Sequence, residues 1–382
     1  MVLCCFASFA THNRAGEITY RHVSGYIYEI TILTYTYTPS EANKSRDVLP
    51  LDWGDGSTGE IPRISEEYLP DNFTKNIYKT THTYPGPGTY TIAMEDPNRN
   101  EGVINIVESV NVPFAITTTL RIDAILGGNT TPVLTNPPVD NAAIGVKFIH
   151  NPAAYDADGD SLAYRLTTCS GEGGDFISGY TFPMTSKDFY VDATSGDMVW
   201  DAPIVLGSYN VAMIIEEWRK GTKIGEIVRD MQIEVFDANN TVPRIADLED
   251  VCVRIGDTVR FQVVATDADS NNVFLTASGG PFEVENKATF KTISSERGKT
   301  VSEFVWVPTC DEIREQSYMV LFKAVDDDKI SLADMKYVNI KVIGHPPVAL
   351  SANPQSVSIS LAWSDSLCSP NIVSYDIYRS RK

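Results

Sequence analysis

Apolar and polar residues alternate in short segments of this chain, with Gly, Pro, Asn and Asp between the segments. A period of two marks a strand with one buried face, whereas the period of an amphipathic helix is almost missing. Four segments show the alternation clearly, and their apolar positions are Tyr209, Val211, Met213 and Ile215; Met231, Ile233 and Val235; Val259, Phe261, Val263 and Ala265; and Val338, Ile340 and Val342. We predict an all-β protein built of half-buried sheets.

Half-buried sheets cover their apolar faces by packing on each other, so the predicted fold is a series of tandem immunoglobulin-like β-sandwich domains. The chain has 382 residues, and at about 100–150 residues per domain it holds roughly three. Boundaries fall where a strand gives way to polar sequence with proline, near Val112, Asn240 and Gly344. The predicted domains are residues 11–113, 114–240 and 241–344.

Residues 345–382 begin a further unit, with strands predicted at Ser356–Trp363 and Ser374–Arg379. Two strands are far too few for a sandwich. We therefore interpret the C-terminal segment as a partial module and expect the natural protein to continue beyond it.

The charge balance is strongly acidic, with 31 Lys and Arg against 50 Asp and Glu and a formal net charge of -19. Such a surface repels a phosphate backbone, which excludes nucleic acid as an expected partner. No apolar run reaches the length of about 18 residues that a membrane-spanning helix needs, so we expect no transmembrane segment.

The first ten residues, 1–10, form a short apolar run that ends with small residues at Ser8 and Ala10. This spacing is typical of a signal-peptidase site, so we interpret the run as a signal-peptide remnant and Thr11 as the mature start. No Lys or Arg precedes the run, and a buried strand is the alternative interpretation. Export places the protein outside the cell, at the outer cell surface.

Loss of the signal removes Cys4 and Cys5 and leaves four cysteines, none of which forms a Cys-x-x-Cys pair. Cys252 and Cys310 fall within one predicted domain, and we predict a disulfide between them, worth about 2–4 kcal/mol. The alternative is a pair of buried thiols. Cys169 and Cys368 have no predicted partner in this chain.

Trp53-Gly54-Asp55-Gly56-Ser57, followed by His82-Thr83-Tyr84-Pro85-Gly86, resembles the polycystic kidney disease (PKD) domain family. The first domain is therefore expected to be PKD-like. The two glycines permit a tight turn after a strand that carries Trp53, so we interpret Trp53, Gly54, Asp55 and Gly56 as structural. A ligand site at Asp52 and Asp55 is the alternative.

Two acidic corners follow predicted strands, at Asp156-Ala157-Asp158-Gly159-Asp160 and at Asp267-Ala268-Asp269. They resemble the acidic loops of cadherin-like and bacterial adhesin repeats, so the second and third domains are expected to be Ig/cadherin-like. Alternating carboxylates can converge on a hard cation, and Ca²⁺ is the cofactor that we expect at Asp156, Asp158 and Asp160 and at Asp267 and Asp269. The alternative is an acidic turn without an ion.

The sequence Gly159-Asp160-Ser161-Leu162 matches the nucleophile motif of the GDSL hydrolases. That chemistry needs a serine at a strand-to-helix turn and an Asp-x-x-His partner, and neither is present in this all-β pattern. We predict that the chain is not an enzyme, although a glycosidase based on a carboxylate pair stays open.

Three sequence blocks resemble one family of Bacteroidota surface proteins, those described as gliding motility-associated C-terminal domain-containing proteins. The blocks are Thr11–Tyr20, Trp218-Arg219-Lys220-Gly221 and Arg229-Asp230-Met231-Gln232-Ile233, while Tyr375-Asp376-Ile377-Tyr378-Arg379 resembles the fibronectin type III-like module of those proteins. The resemblance implies export by type IX secretion and an anchoring C-terminal sorting domain, which this sequence does not reach.

These observations together predict a non-catalytic extracellular scaffold or adhesin of the bacterial surface, with an extracellular protein or polysaccharide as its ligand. The alternative is an accessory carbohydrate-binding region of a larger secreted hydrolase, because PKD-like and fibronectin-like modules often flank catalytic domains. A spacer without a ligand gives the same sequence pattern.

Overall fold

The computed structural model describes residues 13–40, 46–70, 72–364, 368 and 377. Within them, regular structure consists of strands and of short 3-10 turns at Ser109–Asn111, Glu172–Gly174, Gly280–Phe282 and Cys310–Glu312. The all-β fold class is therefore confirmed. The predicted signal-peptide remnant, residues 1–10, and the predicted mature start lie outside the described residues.

Seven strands form the first packing unit, called the first unit below: β1 (Asn13–Ser24), β2 (Ile27–Tyr37), β3 (Val48–Asp52), β4 (Thr58–Leu69), β5 (Phe73–Thr83), β6 (Gly88–Asp96) and β7 (Phe114–Ile122). They pair antiparallel in the order β1-β2-β5-β4-β3-β6-β7. Their inward side chains, among them Ile30, Trp53 and Leu120, form one apolar core.

The second unit contains β8 (Val133–Leu134), β9 (Asn141–Ala143), β10 (Phe148–His150), β11 (Ala154–Tyr155), β12 (Ser161–Thr167), β13 (Thr185–Val191), β14 (Met198–Pro203), β15 (Gly207–Arg219) and β16 (Thr222–Phe236). The sheet β10-β14-β13 packs against the sheet β12-β15-β16. Trp200 from the first sheet and Tyr209 and Met231 from the second share a core.

The third unit contains β17 (Arg244–Ile245), β18 (Val251–Arg254), β19 (Val259–Thr266), β20 (Val273–Gly279), β21 (Thr289–Glu296), β22 (Lys299–Trp306), β23 (Tyr318–Asp326) and β24 (Ala333–Ile343). Two four-stranded sheets, β17-β19-β22-β21 and β18-β24-β23-β20, form a sandwich. Phe304, Trp306 and Phe322 fill its core.

A hairpin of β25 (Val348–Pro354) and β26 (Ile359–Ser364) is the described part of the predicted C-terminal module. The second strand predicted there, at residues 374–379, lies outside the described residues apart from Ile377.

Strand β16 joins the first and second units, because both use it as a sheet neighbour. One edge of β16 pairs along its length with β15. The other edge pairs in turn with β7 at Gly225–Ile227, with β1 at Asp230–Met231 and with β9 at Glu234–Phe236. The first-unit strands and β16 thus close into a ring of eight strands.

The boundary predicted at residue 113 falls immediately before β7. This strand pairs with β6 through nine residues, and Phe114, Ile116, Leu120 and Ile122 lie in the first core. As packed, the first unit therefore extends to Ile122. The division into domains otherwise stays a prediction.

The apolar faces predicted for β15 and β16 are buried, but the expectation that their opposite face is open is wrong. The loop between β6 and β7 and the loop after β12 cover that face and form a second apolar layer there. This layer contains Val103, Ile106, Cys169, Ile177, Ala212, Ile214 and Val228. Both faces of the shared strand are consequently dry.

A fully buried ion pair holds β1 to β16. Arg229 Nε and Nη2 each donate to a different carboxylate oxygen of Glu17 at 2.8 Å, and both side chains are 0% exposed. Arg229 Nη1 also donates to the carbonyl oxygen of Asn136 at 2.7 Å. This fork-to-fork geometry satisfies both charges without water.

A second buried pair lies beside the first, on the opposite face of β16. Arg99 Nη2 and Nη1 donate to the two carboxylate oxygens of Asp230 at 2.6 and 3.2 Å, and each side chain is only 1% exposed. The pair ties the loop between β6 and β7 to β16.

The ionic contacts continue from Arg229 into the third unit. Arg229 Nη1 lies 3.5 Å from His150 Nε2, and His150 Nδ1 lies 2.8 Å from Asp140 Oδ2. Asp140 in turn forms an ion pair with Lys323 of β23. We call this set of residues, Glu17, Arg229, His150, Asp140 and Lys323, the buried relay. It connects all three units through buried polar and charged groups.

Burial lowers the pKa of His150, and the neighbouring Arg229 and Lys323 lower it further, while Asp140 opposes them. The neutral imidazole then donates from Nδ1 to Asp140 and accepts at Nε2 from Arg229. Burial alone would raise the pKa of Asp140, but Lys323 and His150 lower it to about 2.

Replacing Glu17 by Gln leaves the guanidinium of Arg229 buried without its counter-charge. We expect the free energy of unfolding to fall by about 3–5 kcal/mol. The matched control is Glu29→Gln, because Glu29 pairs at the surface with Arg21 and with Lys79, each at 3.3 Å, and its loss should cost less than about 1 kcal/mol per pair. Urea unfolding followed by tryptophan fluorescence measures both, and equal losses would contradict the buried role of Glu17.

The relay also predicts a pH dependence. Because the folded-state pKa of His150 is lowered, the unfolded chain takes up the proton first, and stability falls as the pH drops below about 6.5. Asp140, whose folded pKa is about 2, adds a loss only below about pH 4. We expect His150→Gln to lose less stability than the wild type between pH 7 and 5, as measured by urea unfolding. Parallel curves would refute the assignment.

Candidate functional site

The turn after β3 requires its two glycines, because both have positive backbone angles. Gly54 has φ +78° and Gly56 has φ +87°. A Cβ on Gly54 would also lie 2.6 Å from the backbone nitrogen of Thr91, far inside van der Waals distance. Any larger residue at position 54 is therefore both strained and obstructed.

The other residues of this turn bind each other. Trp53 stacks on His82 with ring centroids 4.3 Å apart, and His82 Nε2 lies 2.8 Å from Asp55 Oδ2. Asp55 Oδ1 accepts from the backbone nitrogen of Ser57 at 2.9 Å, and Asp52 Oδ1 accepts from that of Gly54 at 2.8 Å. Burial raises the pKa of Asp55, but the hydrogen bonds from Ser57 and His82 lower it to about 2. These contacts support the structural interpretation over a ligand site.

At the first acidic corner the structure brings two of the three predicted ligands together. Asp156 and Asp160 are buried, at 1% and 6% exposure, and Asp156 Oδ1 accepts from the backbone nitrogen of Asp160 at 2.8 Å. Asp158 lies outside the group whose ligand atoms are within reach of each other. Its Oδ2 accepts from the backbone nitrogen of Thr130 at 2.8 Å and from Arg219 Nη2 at 3.2 Å.

A third carboxylate comes from the far end of β15. One ligand atom each from Asp156, Asp160 and Glu217 lies within 4.8 Å of the others, and we call these three residues the acidic cluster. Glu217 is 0% exposed. Asn129 Nδ2 donates to Glu217 Oε1 and to Tyr20 Oη, both at 3.1 Å.

Of these three carboxylates Asp160 pairs with Arg219, which also contacts Asp158. Arg219 Nε and Nη2 donate to the two oxygens of Asp160 at 2.8 and 2.6 Å. Burial raises the pKa of Asp156 and that of Glu217, and the repulsion between neighbouring carboxylates adds to both. The site therefore concentrates negative charge in a dry environment.

The second acidic corner repeats the local geometry of the first. Asp267 Oδ1 accepts from the backbone nitrogen of Asn271 at 2.9 Å. Asp269 Oδ2 accepts from the backbone nitrogen and the hydroxyl of Thr241, both at 2.7 Å. Thr241 and Asp269 are 28 residues apart, the same separation as between the threonine and the aspartate at the first corner.

The two corners differ in charge. Asn271 stands where the first corner has Asp160, and its Nδ2 donates to Asn240 Oδ1 at 3.1 Å. Asn240 Nδ2 donates to Asp326 Oδ2 at 2.9 Å. Asn240 thus donates to Asp326 as Asn129 donates to Glu217 at the first corner, and the one carboxylate replaced by an amide is that of Asp160. Among the described residues, the acidic cluster is the one group of three metal-binding side chains in reach of each other.

The predicted Cys252–Cys310 disulfide is wrong. Cys310 is bonded to Cys368, with Cα atoms 5.4 Å apart and a sequence separation of 58. Cys252 is a free, exposed thiol, because the alternation along β18 puts its neighbour Val253 in the core and turns Cys252 outward. The alternative of two buried thiols fails for the same reason. Cys169 is free and buried.

Ser161, the serine of the GDSL letters, lies in β12 opposite Trp218 of β15. Its hydroxyl accepts a hydrogen bond from Gln316 Nε2 at 2.9 Å. These contacts are those of an ordinary strand residue at a surface. Neither of them brings a base to the Ser161 hydroxyl that could activate it as a nucleophile.

Sequence reasoning missed Glu217, although a signal was present. The inward positions of β15 run Tyr209, Val211, Met213 and Ile215, and the next position in that alternation is Glu217. A charged residue at a position that the pattern assigns to the core must have a buried partner.

Four exposed apolar side chains lie at one end of the second unit, and we call them the apolar rim. Their exposures are 48% for Ile104, 67% for Val107, 43% for Phe182 and 50% for Leu206. Ile104 lies against Gly207, which follows Leu206, and Val107 lies beside Gly179.

Asn105 fixes the loop that carries two of these residues. Its Nδ2 donates to the carbonyl oxygens of Asn210 and Thr181 at 2.7 and 3.0 Å. Its Oδ1 accepts from the backbone nitrogen of Asn210 at 3.0 Å. These hydrogen bonds consequently fix the position of the loop that carries Ile104 and Val107.

Among the described residues, no helix is long and apolar enough to cross a bilayer. No family model matches the chain, and no curated protein matches it.

Several solved structures are similar to the chain at low identity. The extracellular domain of protocadherin GammaB4 is 14% identical over 82% of this chain and 48% of that chain, with a TM-score of 0.22. Human CDH23 EC21-23 is 12% identical over 59% and 83%, with a TM-score of 0.20. Dpr2 Ig1-Ig2 in complex with DIP-Theta Ig1-Ig3 is 8% identical over 85% and 99%, with a TM-score of 0.19. The chain thus spans about half the length of the protocadherin chain. Similarities with such low TM-scores do not support a functional assignment. The fold class is assigned from the strand pairings.

The cysteine pairing is open to a direct check. We expect non-reducing peptide mapping by mass spectrometry to recover a peptide that links Cys310 to Cys368, and alkylation of the native chain to label Cys252. Cys310→Ser should lower the unfolding midpoint, because the unfolded chain gains conformational entropy once the cross-link is gone. Cys252→Ser is the matched control and should leave the midpoint unchanged. A peptide linking Cys252 to Cys310 would reverse the correction.

Proposed function

We propose that this chain is a non-catalytic extracellular scaffold or adhesin, exported to the outer cell surface. The observation that carries the proposal is the apolar rim, which lies on units held together by β16 and the buried relay. Exposed apolar patches on soluble domains commonly mark interaction sites. The family resemblance of the N-terminal and β16 blocks supports export by type IX secretion and a role among gliding-associated surface proteins.

The contacts among the three units support a scaffold role, because they restrict the movement of one unit relative to another. The first and second units share β16, and the buried relay connects them to Lys323 in the third. A surface presented on such a frame keeps its orientation when its partner is pulled. Disordered linkers would not transmit force in this way.

The composition of the apolar rim favours a protein partner. Three of its four side chains, Ile104, Val107 and Leu206, are aliphatic, and only Phe182 offers a ring. Sugar recognition commonly relies on stacking against aromatic faces, for which the rim offers one ring, whereas an apolar patch without charged residues suits the buried centre of a protein interface. We therefore expect an extracellular protein as the ligand and treat a polysaccharide as the competing outcome.

The test is a binding screen with the purified full-length chain immobilised on a sensor. The probes are a panel of extracellular matrix proteins and a glycan array. We expect saturable binding to a protein of the panel, weakened about tenfold or more by Val107→Lys, because a charge would enter the centre of the interface. Val357→Lys makes the same change at another exposed valine, 96% exposed in the C-terminal hairpin, and should have no effect.

Two results would overturn this assignment. Saturable binding to one polysaccharide, unchanged by Val107→Lys, would favour the accessory carbohydrate-binding region of a hydrolase. An absence of binding to every probe would favour a spacer without a ligand.

A further inference from the structure

We propose that the acidic cluster of Asp156, Asp160 and Glu217 binds one divalent cation of the hard, oxygen-preferring class, with Ca²⁺ as the best match. This ligand set differs from the one expected from sequence, because Glu217 enters it and Asp158 leaves it. The inference does not depend on the adhesive role.

Two buried oxygens of the cluster point to a ligand. Asp156 Oδ2 and Glu217 Oε2 are both inaccessible and have no hydrogen-bond partner among the described residues. An ionised oxygen in a dry site without a partner is strongly unfavourable. A cation between the two carboxylates would satisfy both oxygens at once.

The charge of the cluster fits a divalent ion. Asp156, Asp160 and Glu217 carry three negative charges when ionised, and Arg219 pairs with Asp160 through both oxygens while it also contacts the more exposed Asp158. Asp156 and Glu217 have no ion pair with Arg219, so at least two negative charges stay uncompensated in the cluster. A doubly charged cation balances them, whereas a lysine or a single proton would leave a residual charge.

The surrounding residues leave space for this arrangement. A Cβ at Gly225 would collide with Glu217 Oε2 and would lie 2.8 Å from Tyr20 Oη. Glycine at this position therefore leaves room for the carboxylate. Asp156 and Asp160 also line an open groove between the second and third units, together with Tyr155, which gives the cluster an approach from solvent.

Ca²⁺ accepts six to eight oxygens in flexible geometry. The three carboxylates can supply several of them, and water can supply the rest. Mg²⁺ demands a near-ideal octahedron of shorter bonds, for which three side chains from separate elements are less suited.

The second acidic corner provides an internal control. Its Asn271 replaces an aspartate, and Asn240 already donates to Asp326. Asp267 Oδ2 is buried without a partner there as well, but the corner has one carboxylate fewer, and among the described residues its carboxylates do not form a group of three in reach of each other. We therefore expect one bound cation per chain rather than two.

The experiment is a calorimetric titration of the chelator-treated full-length chain with Ca²⁺ alone, together with thermal unfolding in Ca²⁺ and in chelator. We expect one site per chain and a midpoint that rises with Ca²⁺. Glu217→Gln should weaken binding at least tenfold, remove the Ca²⁺-dependent rise and raise the midpoint in chelator, because a buried uncompensated charge is gone. A merely destabilised variant would show a lower midpoint in chelator.

Asp156→Asn is the second variant and should behave in the same way if Glu217→Gln does not fold. Asp269→Asn is the matched control at the other corner and should bind Ca²⁺ as the wild type does. No heat and no midpoint change with the wild type at millimolar Ca²⁺ would overturn the proposal. Undiminished binding in both cluster variants, or loss of the site in Asp269→Asn, would overturn it equally.

Discussion

The buried contact between Glu17 and Arg229 is the constraint on which the rest of the fold depends. Both side chains are fully enclosed, so neither charge has water as an alternative partner. Separating β1 from β16 would expose or orphan both, at a cost that a few apolar contacts could not offset. The pair therefore fixes the register of Gly16 opposite Asp230, and through β16 it fixes how the first unit sits on the second.

The strands and their apolar faces were predictable from the sequence, because alternation is a local property. The partners of charged residues were not. Ile227, Met231 and Ile233 define an inward face on β16, and Arg229 interrupts it. That interruption shows that a buried counter-charge exists, but its partner lies 212 residues away along the chain. No periodic pattern carries information over that separation.

The acidic corners illustrate the same limit at a candidate site. Spacing indicated that Asp156, Asp158 and Asp160 would converge, yet Asp158 bonds to Thr130 and shares Arg219 with Asp160, and it is not part of the acidic cluster. The third carboxylate comes from β15, whose position depends on the whole sheet. The predicted disulfide was wrong for a related reason. Alternation along β18 determines which face carries Cys252, but the position of Cys368 depends on the C-terminal segment.

The two acidic corners differ in the number of carboxylates, and this difference affects how each corner responds to cations. At the second corner Asn271 donates to Asn240 and Asn240 donates to Asp326, so an amide stands where the first corner has the carboxylate of Asp160. At the first corner, Asp156 and Glu217 keep unsatisfied charge beside the ring of strands that joins the first two units. Because three ligating carboxylates meet only at the first corner among the described residues, we expect the response to a divalent cation to be concentrated there, next to Tyr20 of β1.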